Sequence, residues 1–365
     1  MSHLTFGFIG LGLIGGSIAK AVRHHIKDAD IIAFDVDLAA LQKAKEDGTC
    51  NAVYPAITDA FSTCDYIFLC TPVSYNNEYL SQLKFIKKET CILTDAGSVK
   101  NSIESTIKEL SLEDCFIGGH PMAGSERSGY TASSYGLLEN AYYILTPACG
   151  ITALQLAALQ ELITKLGAIP IVLSAKEHDH VTSAISHLPH MLAFSLVNLI
   201  HDSDDQAGTM KRIAAGGFKD ITRIASSSSV MWEQICMENK EELLHMMNSY
   251  MEELGKLKNC IQSEDTTQLH RYFEAAKEYR DSFDEVTCGP ISRSYYVSVA
   301  IPDETGVIAT ISGLFAAQCI NIKNIGIVHN REYEEGALRI EFYDDASLKN
   351  AILLLQEKNY HTYTK

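Results

Sequence analysis

The sequence predicts an α/β chain in three successive parts: a mostly parallel sheet with helices on both faces, an all-helical middle, and a small C-terminal β-α-β-β-α-β unit. Three observations carry that reading. Short continuous apolar runs alternate with amphipathic segments up to about residue 174, strand-like runs vanish between 176 and 283, and they return in residues 295–365. Apolar runs without alternation, separated by helices, are the pattern of strands buried on both faces.

"LTFGFIG" (4–10), "IIAFD" (31–35), "YIFLC" (66–70), "CILTD" (91–95), "CFIGG" (115–119), "YYILT" (142–146) and "IPIVLS" (169–174) read as strands. Residues 17–27 and 102–110 read as amphipathic helices between them. Residues 176–283 carry Leu, Ile, Met and Ala at helical spacing. Pro189 predicts a kink there, because it removes one backbone hydrogen bond and crowds the carbonyl of Ile185. A charged stretch (274–286) then leads to "CGP" (288–290), read as a linker. "YYVSVAI", "TGVIATISGLFAAQ", "INIKNIGIVHN", "ALRIEFYDD", "SLKNAILLLQEK" and "YHTYT" complete a ferredoxin-like order. The boundaries that follow are 1–174, 175–289 and 293–365.

Composition narrows the partners. A formal charge of −16 over 365 residues argues against a non-specific grip on nucleic acid or an anionic membrane, both of which need basic surface. An anionic substrate would have to be drawn in by a few local cations against that field. The ten cysteines form no C-x-x-C pair and several lie in apolar strands, which reads as reduced buried thiols and no zinc site. No basic leader precedes the first strand, and the longest apolar run (188–200) falls short of the ~20 residues of a membrane span. These point to a cytoplasmic protein.

"GFIGLGLIGGS" sets Gly10, Gly12 and Gly15 in G-x-G-x-x-G spacing directly after a strand and at the opening of a helix. Such glycines serve a tight turn, close approach of backbone to a pyrophosphate, and helix–strand packing, while the helix N-terminus offers N–H groups to phosphate. Asp35, twenty residues beyond Gly15 at the next strand end, suits ribose hydroxyls and would repel a 2′-phosphate. NAD is therefore the expected cofactor, with Leu11, Leu13, Ile14, Thr71 and Pro72 assigned to the same site.

Three further stretches bear polar groups in unusual places. "GGHPMAGSERSG" (118–129) surrounds His120 with glycines past an apolar run, and fits either a ligand loop or a turn whose histidine merely packs. "TDAGSVKNS" (94–102) puts Ser98 and Lys100 beyond a strand end. "EHDHVTSAISHLPHMLAF" (177–194) places His187 and His190 on one helical face beside Ser186, as core histidines or ligands; His178 and His180 read as structural. In "GGFKDITR" (216–223), Lys219 and Arg223 share a helical face near Trp232, as a solvated stripe or an anion site.

Together GLGLIGGS, DAGSVK, GGHPMAGSERSG, SHLPH and GGFKDITR resemble the prephenate dehydrogenase family of tyrosine biosynthesis, and the tail resembles an ACT regulatory domain. The resemblance covers essentially the whole chain. It implies a Rossmann-like domain, a helical domain that dimerises, and NAD-dependent oxidative decarboxylation of prephenate. His120 would be the catalytic base near neutral pK and Ser98 its hydrogen-bonding partner. Arg223 would hold a substrate carboxylate, with His190, Ser186, Ser125, Glu126 and Lys219 in the same pocket. Trp232 would reach the pocket of the partner subunit. Ser125 departs from the threonine of some relatives but keeps the hydroxyl. Tyrosine is the expected effector, near Asp303, Gly306, Asn321 and Ile322. Arogenate as substrate, and a catalytically dead NAD-binding regulator, are the alternative readings.

Overall fold

The computed structural model describes residues 3–125, 127–286, 295–301, 304–328 and 337–363. They fall in two compact units, Met1–Lys256 and Leu257–Lys365.

The first unit opens with β1 (Thr5–Ile9), α1 (Leu13–His25), β2 (Asp30–Phe34), α2 (Leu38–Glu46), β3 (Ala52–Tyr54), β4 (Tyr66–Leu69), α3 (Val73–Ile86), β5 (Ile92–Asp95) and α4 (Asn101–Glu109). The strands form a five-stranded parallel sheet in the order β3-β2-β1-β4-β5. Successive side chains on a strand point to opposite faces. Phe6, Phe8 and Phe68 accordingly join one buried cluster with Ile18 and Val22 of α1, while Ile9, Ile67 and Leu69 join another with Leu80 and Leu83 of α3 and Ile103 of α4. Burying each such side chain is worth about 1.5–3 kcal/mol, which is why both faces are helix-covered. The edge strand β3 escaped the sequence reading, since three residues are too few to show a period.

β6 (Ile117–Pro121), β7 (Tyr142–Pro147), α5 (Ala153–Lys165) and β8 (Ile169–Val172) build a second sheet, β6-β7-β8, with β6 and β7 antiparallel. A parallel bridge between Leu93 and Phe116 joins the start of β6 to β5. The histidine motif therefore continues the edge where β1, β4 and β5 end.

The remaining helices of this unit are α6 (Ala175–Thr182), α7 (Leu188–Ser203), α8 (Thr209–Ile213), α9 (Gly216–Thr222), α10 (Ser229–Glu238) and most of α11 (Lys240–Gln262). The break expected at Pro189 is taken up one turn earlier by a π-helical turn, Ser183–His187. Pro189 falls in the first turn of α7, directly after that π-helical turn, so the helix changes its bonding where the proline's N–H is missing. The run read as too short to span a membrane thus belongs to a 29-residue helix, Ala175–Ser203, long and apolar enough by length and composition to cross one. Its polar residues instead bond within the first unit, as the site shows.

In the second unit, α12 (Thr266–Val286) precedes β9 (Tyr295–Ala300), α13 (Val307–Ala317), β10 (Ile322–Val328), β11 (Ala337–Phe342), α14 (Asp345–Glu357) and β12 (Thr362–Tyr363). The sheet runs β10-β11-β9-β12, antiparallel throughout, with Ile311 and Phe315 of α13 and Ala351 and Leu355 of α14 in its core. This is the ferredoxin-like topology expected. The "CGP" linker lies outside the described residues.

Candidate active site

The glycine loop is shaped by what cannot fit there. Gly10 adopts φ +98°, a left-handed conformation that favours glycine, and a Cβ on it would lie 2.8 Å from Thr71 Cγ2. A Cβ on Gly15 would lie 2.2 Å from the Gly10 carbonyl oxygen, so α1 packs on β1 only with glycine there. Gly12 faces open space and precedes α1, whose N-terminus has no side-chain cap and no acidic residue in its first turn. Its unpaired N–H groups are left for an anionic ligand. The Leu11 N–H donates to Asp35 Oδ2 at 2.5 Å, and the Asp37 N–H donates to Asp35 Oδ1 at 2.8 Å, which ties the carboxylate to the loop. Leu13 and Ile14 form the first turn of α1, Thr71 donates to Asn76 Oδ1 (2.7 Å), and Pro72 precedes α3. These residues fit a dinucleotide.

The second half corrects the sequence reading. His120 lies within β6, opposite Ile144 of β7, and not on a flexible loop. Its glycines serve packing. A Cβ on Gly119 would lie 2.6 Å from the Asp95 carbonyl oxygen, and one on Gly118 would lie 2.2 Å from Thr146 Oγ1. Beneath them the buried Lys100 ammonium pairs with Asp95, which also accepts the Gly97 and Gly119 N–H groups. The "DAGSVK" lysine is thus structural first, an ion pair 1% and 0% exposed.

The side-chain partner of His120 is His178, an imidazole read as structural. His120 Nδ1 lies 2.7 Å from His178 Nε2, and His178 Nδ1 lies 2.7 Å from Asp179 Oδ1. Asp179 in turn accepts the N–H groups of Lys100 (2.8 Å) and Asn101 (2.8 Å). A capping box between Ser174 and Glu177 fixes where α6 starts, and so presents His178 and Asp179 to β6 and α4. Ser98 is half-buried and has no hydrogen bond to His120 in the structure. The His120 imidazole is also less basic than expected. Burial first, then the His178 ring, the Lys100 ammonium and His187, hold His120 well below the ordinary histidine value.

His190 stacks on Trp232 with ring centroids 3.9 Å apart, and donates from Nδ1 to the Ser186 carbonyl at 2.9 Å. Burial lowers its pKa, and the nearby Arg223 guanidinium lowers it further. Trp232, expected to reach a partner subunit, is 5% exposed and buried in its own chain with Val99, Ile235, Met191 and Phe194. An N-cap by Ser228 aims α10 so that the ring meets the histidine face of α7. Burial pushes His187 down to about 4, and its Nδ1 accepts from Asn239 Nδ2 at 3.2 Å. Lys219 is exposed near the end of α9, and Arg223 begins the short helical turn that follows. Ser125 is exposed and accepts the Arg127 N–H (3.2 Å). Glu126 and Asp303 lie outside the described residues. Gly306 and Ile322 flank α13 and start β10, with Asn321 exposed beside them. Among the described residues no three His, Cys, Asp or Glu side chains are placed to hold a metal.

A dinucleotide-fitting sheet edge continued by a neutral imidazole, with a cation close to a second histidine, defines a nucleotide-dependent dehydrogenase acting on a small anionic substrate. Comparison with known proteins narrows the class. Residues 18–172 match the model of the prephenate dehydrogenase nucleotide-binding domain, and residues 174–275 that of its dimerization domain. The chain is 38% identical over 366 residues to a Bacillus subtilis prephenate dehydrogenase, covering 98% of both. It is similar to the crystal structure of an A. aeolicus prephenate dehydrogenase in complex with hydroxyphenyl propionate and NAD+, at 32% identity and TM-score 0.74, over 78% of this chain and 99% of that one. It is also similar to the structure of a Synechocystis arogenate dehydrogenase, at 29% identity and TM-score 0.69, over 77% of this chain and 100% of that one. The chain belongs to the prephenate dehydrogenase family.

Proposed function

We propose that the chain catalyses NAD-dependent oxidative decarboxylation of prephenate to 4-hydroxyphenylpyruvate in tyrosine biosynthesis, as a cytoplasmic homodimer. The observation that carries this is His120, a neutral imidazole set in a strand at the edge where the glycine loop opens. Bound NAD supplies the hydride acceptor, and Gly10–Gly15 with Asp35, Thr71 and Pro72 hold it. His120 takes the proton of the C4 hydroxyl as hydride leaves C4, and loss of CO2 from the ring then aromatises the product. A base of this kind is worth about 10²–10⁴-fold in rate. Arg223 and Lys219 offer cations for a dianionic substrate, Arg as a planar fork and Lys as a point charge. His190, Ser186, Ser98, Ser125, Glu126 and Trp232 complete the pocket in this reading.

Residues 1–174 serve the cofactor, 175–289 the substrate and the dimer, and 293–365 act as an ACT domain that binds tyrosine near Asp303, Gly306, Asn321 and Ile322. NADH absorbance with prephenate, with arogenate, and with added tyrosine tests the whole scheme. Turnover of prephenate that tyrosine suppresses is expected. NADH formed from arogenate alone would replace the substrate, and turnover indifferent to tyrosine would remove the effector.

A further inference from the structure

We propose that His178 and Asp179 are positioning residues which lock His120 in one tautomer, with the proton on Nδ1 and the lone pair on Nε2. The inference deepens the reading of His120 as the base and rests on it. An ionised carboxylate can only accept hydrogen bonds. Asp179 already accepts two backbone N–H groups from Lys100 and Asn101, which anchor it, and its Oδ1 lies 2.7 Å from His178 Nδ1. His178 Nδ1 must therefore carry the proton. In a neutral ring, His178 Nε2 is then an acceptor. His120 Nδ1, 2.7 Å away, must be the donor. What is left on His120 is Nε2 with its lone pair, the atom a base needs.

The surroundings keep both rings neutral, as this chain of bonds requires. His178 is fully buried, and His120 faces it across β6 and α6. Burial lowers both, and the Lys100 ammonium opposes a proton on either. Lys100 cannot withdraw, because it is sealed under Gly118 against Asp95. His187 adds repulsion, while Asp179 and Asp95 favour a proton on His178 and are outweighed by its burial. Asn239 donates to the Asp179 carbonyl at 2.9 Å as well as to His187, which braces α6 from the far side. A base whose tautomer is preset spends no turnover waiting for the wrong one to convert.

The test is ¹⁵N-histidine NMR of the full chain, with the His120 signals identified by their loss in His120→Asn. His120 and His178 should both appear as Nδ1–H tautomers. His178→Leu removes the acceptor, so the His120 ring should lose its single tautomer and kcat should fall about 10²-fold or more, with NAD affinity and KM little changed. His178→Gln places an amide oxygen where Nε2 stood, and should keep the tautomer and recover most of kcat. Wild-type His120 protonated on Nε2 would overturn the proposal, as would Leu and Gln variants with equal kcat. The tautomer readout needs no substrate, so a failure of the prephenate reading shows in the turnover assay alone.

Discussion

The glycine-loop half of the site comes from residues 10–15, contiguous in the chain, with Asp35 bonded to the Leu11 N–H. The imidazole half draws His120 from β6, His178 and Asp179 from α6, His190 from α7 and Trp232 from α10. The first is a backbone device, and its requirements appear as glycines at fixed intervals. The second is a side-chain device whose members lie 58 residues or more from His120 in sequence and meet only when α6 docks. The first half should therefore fail through local shape, and the second through loss of a proton acceptor or a buried charge.

The largest expected effect falls on the imidazole half. His120→Asn should lower kcat about 10²–10⁴-fold with little change in prephenate KM, read by NADH absorbance. In the wild type, kcat/KM should fall on acidification through an ionisation below the ordinary histidine value, because protonated His120 is no base. It should already be flat at pH 7. A midpoint at or above 7 would mean that the burial read for this ring is wrong.

Next is Lys100→Met, which strands the Asp95 carboxylate in a fully buried site. Breaking such a pair by removing one partner typically destabilises by about 3–5 kcal/mol, and urea unfolding would measure it. A smaller loss would show that water reaches Asp95.

A milder effect comes from His187, whose pKa is about 4 in the fold against 6.5 unperturbed. The unfolded chain binds this proton more readily, so stability falls as pH drops from 6.5 toward 4 and is intact above that window. The full effect is roughly 3 kcal/mol, from about 1.36 kcal/mol per pKa unit. Urea midpoints at pH 7 and pH 5 should separate in the wild type and separate less in His187→Gln, where buried His120 and His178 still contribute.

The smallest effect sharpens the local half. Gly15→Ala should lose about 1–3 kcal/mol of stability, since its Cβ meets the Gly10 carbonyl. Gly12→Ala should melt like the wild type but bind NAD more weakly, since its Cβ projects into the open space left for the pyrophosphate. Equal melting losses in both would make the loop a packing motif only.

Legibility followed the same line. The strands, the α1 turn and the C-terminal order were readable because period and punctuation are local. Ser98 was assigned the bond that His178 makes, because nothing in "EHDH" distinguishes an imidazole facing β6 from one facing solvent. His180, two residues on, does point outward to Glu242. A carboxylate directly after a histidine, just past a capping box, was the one available signal.

The sequence by itself determined the parallel sheet, the glycine turn with its carboxylate, the helical middle and the ferredoxin-like end. Each rests on neighbours a few residues apart, whose backbone preferences and apolar spacing act before the chain is folded. Only the tertiary structure decided that the glycines of 118 and 119 are packing contacts, that Lys100 is sealed under Gly118 against Asp95, and that His178 and Asp179 line up behind His120. Those outcomes depend on which surfaces meet, and a hydrogen bond between distant side chains exists only once burial has taken water away from both.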